Sequence, residues 1–189
     1  MSDKPLNLGQ RISILGCSGS GKSTLARKLS EKLQLPVYHL DTYYWQPAWV
    51  ATDPGEFIRQ NDEIIAQDRW IIEGNYSITR ARRLARSDTI LYIDESPWRC
   101  AARFVRRAWF ERERTDLPEG CCEPVLNAEL LSHLHDIFCY RQKSLPRHKI
   151  ELEMHKQTCH VVWLRSPNDV AFFLASINSR ALARQVLKD

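Results

Sequence analysis

The chain has no apolar run of membrane-spanning length, and its first residues lack the apolar core of a secretory signal. Its six cysteines (Cys17, Cys100, Cys121, Cys122, Cys139 and Cys159) are irregularly spaced and make no disulfide framework. The adjacent pair Cys121-Cys122 lacks the two to four intervening residues that let two thiolates reach one tetrahedral ion, so no structural metal is expected. These absences predict a reduced, cytoplasmic protein without a membrane partner. Internal repeats, low-complexity segments and recognisable DNA-binding motifs are also missing. With a net charge of only +4, nucleic acid is not the favoured partner.

What is present is globular: 43% apolar and 26% charged residues exclude the composition of a disordered chain. A length of 189 residues suits one domain. Arg11–Leu15 is a short apolar run ending at Gly16, and Leu25, Leu29 and Leu33 then recur at helical spacing. Pro36–Leu40 reads as a second strand, followed by DTYYWQPAW from Asp41, an aromatic stretch expected to be an irregular functional loop. Asp53-Pro54 is a helix start, with Phe57, Ile58, Ile64 and Ile65 as the buried side. Trp70–Ile72, Thr89–Ile93 and Cys159–Leu164 supply three more strands, and Ser166–Asp169 starts a last helix whose inner face carries Val170, Phe173, Leu174 and Ile177. Strands alternating with helices imply parallel crossovers, hence an α/β three-layer sandwich with a five-stranded parallel sheet. Between the fourth and fifth strands, helical stretches from Pro97 to near Arg114 and from near Val125 to Leu145 flank a break at Leu117–Cys122, which reads as a helical lid.

The chemistry-bearing run is GCSGSGKST, Gly16–Thr24, placed between a strand and a helix. In the pattern G-x-x-x-x-G-K-[ST], glycines let successive backbone amides face phosphate oxygens. The predicted ATP-binding residues are therefore Gly16, Cys17, Ser18, Gly19, Ser20, Gly21, Lys22, Ser23 and Thr24. Lys22 meets the β and γ phosphates, Ser23 offers its hydroxyl to Mg²⁺, and Thr24 caps the helix or meets the α phosphate.

Phosphoryl transfer also needs a carboxylate and further cations. Asp41, Glu73 and Asp94 each end a strand, and Asp41, beside the aromatic loop, is expected to align the acceptor or hold a metal-bound water. Asp94-Glu95 closes the run ILYIDE, which imitates the Walker B pattern of hydrolytic ATPases. Arg103 and Arg107 share a helix face, with Arg106 beside them and Arg112 and Arg114 further on; such arginines can close over a triphosphate or form a solvated face with Glu111 and Glu113. Tyr43, Tyr44, Trp45 and Trp49 either line an acceptor pocket or cover the core.

Taken in order, GCSGSGKST, HLDTYYWQPAW from His39, WIIEGNY from Trp70, DTILYIDESPW from Asp88, Arg103 with Arg107, RERTDLPEGCCE from Arg112 and VVWLRSP from Val161 resemble the adenylate kinase-related P-loop kinases, most closely the DNA topology modulation protein group. The resemblance implies a nucleoside- or nucleotide-kinase-like P-loop fold, ATP with Mg²⁺ as donor, Arg103 and Arg107 facing the phosphates, and Arg165–Pro167 near the adenine. The chain departs from adenylate kinases after the third strand, where Glu73-Gly74-Asn75-Tyr76 stands in place of Asp-Gly-Phe-Pro-Arg. Either Arg80 or Arg83, with help from Arg59, replaces the missing arginine, or the acceptor is not a nucleotide.

The expectation is thus one P-loop kinase-like domain over 1–189, with an acceptor-side insertion at about 42–69 and a lid at about 103–148. Lys22, Asp41, Arg103 and Arg107 are the expected catalytic residues, and Arg165 joins the ATP set. Asp41, Tyr44, Trp45, Arg59, Glu73, Gly74, Asn75, Arg80 and Arg83 are the acceptor-side candidates. The alternatives are a nucleotide-dependent regulatory or DNA-binding protein affecting DNA topology, and a simple ATPase.

Overall fold

In the computed structural model, which describes residues 8–110, 121 and 128–186, with side chains to 177, five parallel strands form one sheet. They are β1 (Arg11–Gly16), β2 (Val37–His39), β5 (Trp70–Glu73), β6 (Thr89–Ile93) and β7 (His160–Leu164), in the order β2-β5-β1-β6-β7. The three central strands are buried along almost their whole length because helices cover both faces of the sheet.

On one face α1 (Lys22–Leu33) and α8 (Pro167–Val186) bury Leu25, Leu29, Phe173 and Leu174 against Ile12, Ile14 and Leu91. The last helix thus turns Phe173 and Leu174 inward, with Val170 and Ile177 partly covered, as the sequence spacing predicts. On the other face lie α3 (Pro54–Ala66), α4 (Ser77–Arg86) and α7 (Leu145–His155). Asp53 caps α3 by accepting from the backbone N–H groups of Gly55 and Glu56 at 2.9 and 3.0 Å, and Phe57, Ile64 and Ile65 are buried with Asn61, while Ile58 is half-buried. Between β6 and α7, α5 (Pro97–Phe110) packs against α6 (Ala128–Lys143) through Phe104, Leu130 and Ile137. The expected break at Leu117–Cys122, with Glu111, Arg112, Glu113, Arg114 and Cys122, lies outside the described residues except for Cys121, which is buried and donates to the Gln46 carbonyl.

Two segments differ from expectation. The stretch after Asp41 is not irregular: α2 (Leu40–Tyr44) is followed by β3 (Trp45–Gln46) and β4 (Val50–Ala51), a small antiparallel hairpin around the 3₁₀ turn Pro47–Trp49. Its tight turn holds Ala48 and Trp49 at φ of +61° and +60°, and Thr52 pins its base by donating to the Tyr43 and Tyr44 carbonyls. The second helical stretch ends at Lys143, close to the expected Leu145, but a further helix, α7, follows at once, with Pro146 in its first turn, where a missing N–H is harmless.

Helix α7 places His148 beneath β6, where its Nδ1 faces the hydroxyls of Tyr92 and Tyr140 at 3.3 and 3.2 Å. Burial, reinforced by the positive charges of Arg80 and Arg147, pushes His148 down to about 4. The unfolded chain then binds the proton more readily between the ordinary value of about 6.5 and about 4, so this group's contribution to stability is intact above that window and is lost as pH falls through it. Denaturant unfolding of His148→Gln should show a stability less dependent on pH across that window, by about 3 kcal/mol, than that of the parent chain.

Candidate functional site

Strand β1 ends at Gly16, the chain turns through Cys17–Gly21, and α1 starts at Lys22 with no acidic residue in its first turn. The turn needs glycine at Gly19 and Gly21, whose φ angles are +74° and +99°. At Gly19 space is also decisive: a Cβ there would lie 2.2 Å from the Cys100 carbonyl oxygen of α5. At Gly21 the nearest atom to such a Cβ is Arg103 Nη1 at 3.8 Å, so the mouth of the loop is open and faces a guanidinium. Ser20 donates its N–H to the Cys17 carbonyl at 3.1 Å, and Lys22 Nζ donates to the same oxygen at 3.0 Å. The Ser20 hydroxyl oxygen is buried without a protein partner. Ser18 is half-buried and Thr24 exposed at the start of α1.

Strand order brings the next groups in. Because β5 pairs with β1 in the register Ile14 to Glu73, the Glu73 carboxylate emerges beside the loop, where Ser23 Oγ donates to its Oε1 at 3.0 Å. On the other side β2 pairs His39 with Glu73, and the His39 Nδ1 lies 2.8 Å from the same oxygen. Burial alone would raise Glu73, but His39, Lys22 and Ser23 outweigh it and hold the carboxyl below the usual range, hence ionised at neutral pH. Asn75 clamps the base of the loop, its side chain accepting from the Gly16 N–H at 3.2 Å and donating to the Gly16 carbonyl at 2.8 Å.

Asp41 sits in the first turn of α2, where the Tyr76 hydroxyl donates to its Oδ1 at 2.6 Å. Burial first, then Asp41, pushes the Tyr76 phenol well above its ordinary value, so Tyr76 stays a donor at any physiological pH. Arg103 bridges the loop and the β6 end: Nη1 donates to the Ser20 carbonyl and Nη2 to Glu95 Oε2, both at 3.2 Å. Glu95 is buried and also accepts from the Ser96 N–H at 2.8 Å, with Arg99 3.6 Å away. Asp94 pairs with Arg141 at 3.1 Å. Arg107, one turn beyond Arg103, lays its guanidinium over the Phe104 ring 5.5 Å from the centroid.

The other acceptor-side candidates divide. Gly74, at φ +132°, packs a hydrogen where a Cβ would meet Leu40 at 3.0 Å. Tyr44 packs edge-on against Phe57 and beside Tyr76 as part of the core covering, whereas Trp45 meets Trp49 in the hairpin. Arg59 lies on the exposed side of α3, paired with Glu56 and Glu63, and is not brought to the loop. Arg80 is buried, giving Nε to Glu151 at 2.7 Å and Nη1 to the Asn75 carbonyl at 3.0 Å. Arg83 is fully buried and gives Nη2 to the Gly74 carbonyl at 2.8 Å, leaving Nε and Nη1 without partners. Arg165, with an exposed side chain, donates its N–H to the Asp169 carboxylate at the start of α8.

Sequence reading overlooked three residues at this centre: His39, Tyr76 and Glu95 as the seat of Arg103. Only the placement of His39 and Glu95 at strand ends marks them in the sequence. No group of three His, Cys, Asp or Glu side chains among the described residues is arranged to hold a metal by itself.

No protein-family profile matches the sequence, and no curated protein is significantly similar to it. Solved structures do match. A shikimate kinase from Acinetobacter baumannii, in complex with shikimate, aligns at a TM-score of 0.53 and 14% identity over 93% of this chain and 94% of its own. A shikimate kinase from Bacteroides thetaiotaomicron gives 0.52 and 16% over 95% and 99%, and a gluconokinase from Sinorhizobium meliloti 1021 gives 0.50 and 14% over 96% and 99%. At such identities the likeness is one of fold: the chain is built on the five-stranded parallel α/β scaffold of these P-loop kinases.

Proposed function

We propose that the protein is an ATP-dependent phosphotransferase acting on a small-molecule or nucleoside/nucleotide acceptor. The observation that carries this reading is the meeting of Lys22, Ser23, Glu73 and Arg103 around one glycine turn at the carboxyl ends of β1 and β5. The open face at Gly21, the partnerless Ser20 hydroxyl and the uncapped start of α1 fit a phosphate chain. Ser23 and Glu73 fit Mg²⁺, one as hydroxyl ligand and the other through metal-bound water. When bound, ATP with Mg²⁺ supplies the phosphoryl group and most of its charge compensation.

The chain's own residues then have separable tasks. Loop amides and Lys22 bind the β and γ phosphates, and Arg103, with Arg107 one turn on, meets charge developing on the transferred group. Asp41, its carboxylate oriented by Tyr76, aligns the acceptor hydroxyl and takes its proton. Arg165 is assigned to the adenine side. Within this class, the motif set from Gly16 to Pro167 supports the DNA topology modulation group, and the irregularly spaced cysteines support a cytoplasmic location. The ATPase alternative is less well supported, because Glu95 is engaged by Arg103 and by its own loop instead of facing a water.

The test is transfer from labelled ATP to a panel of nucleosides, nucleoside monophosphates, sugars and hydroxy acids. The expected result is a phosphorylated acceptor that disappears with Lys22→Ala, at a loss of about 10²-fold or more. Hydrolysis without transfer to any acceptor would overturn the assignment.

A further inference from the structure

A cavity of about 480 Å³ opens between the starts of α4 and α7 and the end of α6, on the far side of Asn75 and Tyr76 from the glycine loop. Three cations line it (Arg80, Lys143 and Arg147) and no carboxylate does. Lys143 and Arg147 make no ion pair or hydrogen bond to any described residue. Arg80 is 4% exposed, and with Nε given to Glu151 and Nη1 to the Asn75 carbonyl its Nη2 donors remain for the cavity. Glu151 answers one of these charges, so the cavity keeps an excess of about two positive charges, with the buried Arg83 behind it.

The backbone adds to this field. Helices α4 and α7, 10 and 11 residues long, both begin at the cavity through Ser77 and Ser144. Neither has a side-chain cap or an acidic residue in its first turn; Ser144 and Thr79 give their N–H groups to the Tyr140 and Tyr76 carbonyls and Pro146 has none, which leaves those of Ser77, Ile78 and Leu145 open at the positive helix ends. The Tyr140 hydroxyl and the buried His148 complete a polar wall. Burying Arg80 and Arg83 beside two helix starts, with Glu151 as the one carboxylate among the described residues paired to them, is electrostatically unfavourable unless a further anion balances them. A solvated basic rim would explain Lys143 and Arg147, but not the buried Arg80 with donors left over.

We infer that this cavity binds a phosphate group, held by Arg80, Lys143 and Arg147 across the two helix starts. Arginine offers a planar fork and lysine a point charge, the pairing that suits a compact dianion. The phosphate is either free orthophosphate or the ester group of a small phosphorylated ligand. Because Asn75 and Tyr76 form the wall and also hold Gly16 and Asp41, an occupant contacts the segment that braces the nucleotide loop.

The experiment is calorimetric titration of orthophosphate, and separately of a set of sugar monophosphates, into the full chain carrying Lys22→Ala, which weakens competing binding at the glycine loop. The expected result is saturable, salt-sensitive binding that weakens tenfold or more when Lys143→Ala and Arg147→Ala are added. Both positions are exposed, and circular dichroism of the variant checks that its fold is kept. In a parallel NMR titration the His148 ring proton resonance should shift with phosphate in the Lys22→Ala chain and not in the triple variant. Tighter binding of an ester than of orthophosphate assigns the cavity to a phosphorylated ligand, and the reverse order to free phosphate. Absence of saturable binding, or equal binding by the variant, overturns the inference. Neither result depends on phosphoryl transfer, so loss of this site and failure of the kinase reading are separately visible.

Discussion

A Gly19→Ala variant should lose ATP binding by at least about tenfold and unfold at lower denaturant, by about 2–4 kcal/mol. Two independent effects act on one methyl group. Alanine is strained at φ +74°, and its Cβ would lie 2.2 Å from the Cys100 carbonyl oxygen, well inside contact distance. The opposing atom cannot easily retreat, because Cys100 is fully buried in α5 among Cys17, Ala101 and Phe104. The turn must therefore open, and opening it misaligns the amides that face the phosphates. Binding of a fluorescent ATP analogue, measured beside a denaturant melt, checks both effects. A variant that melts and binds like the parent would mean that the turn does not rest on α5 as described.

The second large effect is expected at Glu73, where the isosteric Glu73→Gln should lower the transfer rate by about 10²–10³-fold in a chain that still folds. Glutamine keeps the one oxygen that Ser23 and His39 share but removes the negative charge that would organise the metal and its water. Glu73→Ala behaves differently. It leaves the His39 ring and the Ser23 hydroxyl without their acceptor in a closed place, at about 2–4 kcal/mol of stability. Comparing the two variants separates chemistry from folding. If Glu73→Gln turns over normally, Glu73 serves only to position Ser23 and His39, and Asp41 is left as the carboxylate that matters.

The acceptor side depends on different contacts. Tyr76 is the join: its hydroxyl orients Asp41, its ring packs on Phe57 and Tyr44, and the same residue lines the basic cavity. Arg59, which a nucleotide acceptor could have used, is spent on Glu56 and Glu63 on the outer side of α3. The cations near the proposed acceptor side are instead Arg80 and Arg83, delivered by α4 from beneath Gly74 and Asn75.

Local order was readable from the sequence wherever neighbours along the chain do the work. The glycine loop, the Asp53 cap, the hydrophobic strands and the inner face of α8 each follow from contiguous residues, since turn conformation, capping and periodicity are short-range. The hairpin after α2 was not readable, because its pairing of Trp45 with Ala51 requires positive φ at Ala48 and Trp49, an uncommon conformation for residues with side chains. Nor was the start of α7, where Pro146 signals a break and an opening equally. Among the acids at strand ends, the sequence favours Asp41 for its place beside the aromatic loop, with Glu73 comparably placed and Asp94 below them. Strand order and side-chain partners together separate their surroundings: β5 lies against β1 and brings Glu73 to Ser23, β6 also borders β1 but its Asp94 turns to Arg141, and Asp41 is taken up by Tyr76. The contact of Gly19 with Cys100, the clamp of Asn75 on Gly16 and the bridge from Arg103 to Ser20 join residues 59 to 83 positions apart or, at Cys100, a different helix. The sequence by itself therefore determined where the proposed phosphate cradle lies, Gly16–Thr24, because it is made of consecutive backbone. Only the tertiary structure decided which carboxylate and which arginines stand around it, because those side chains converge through sheet register and helix packing.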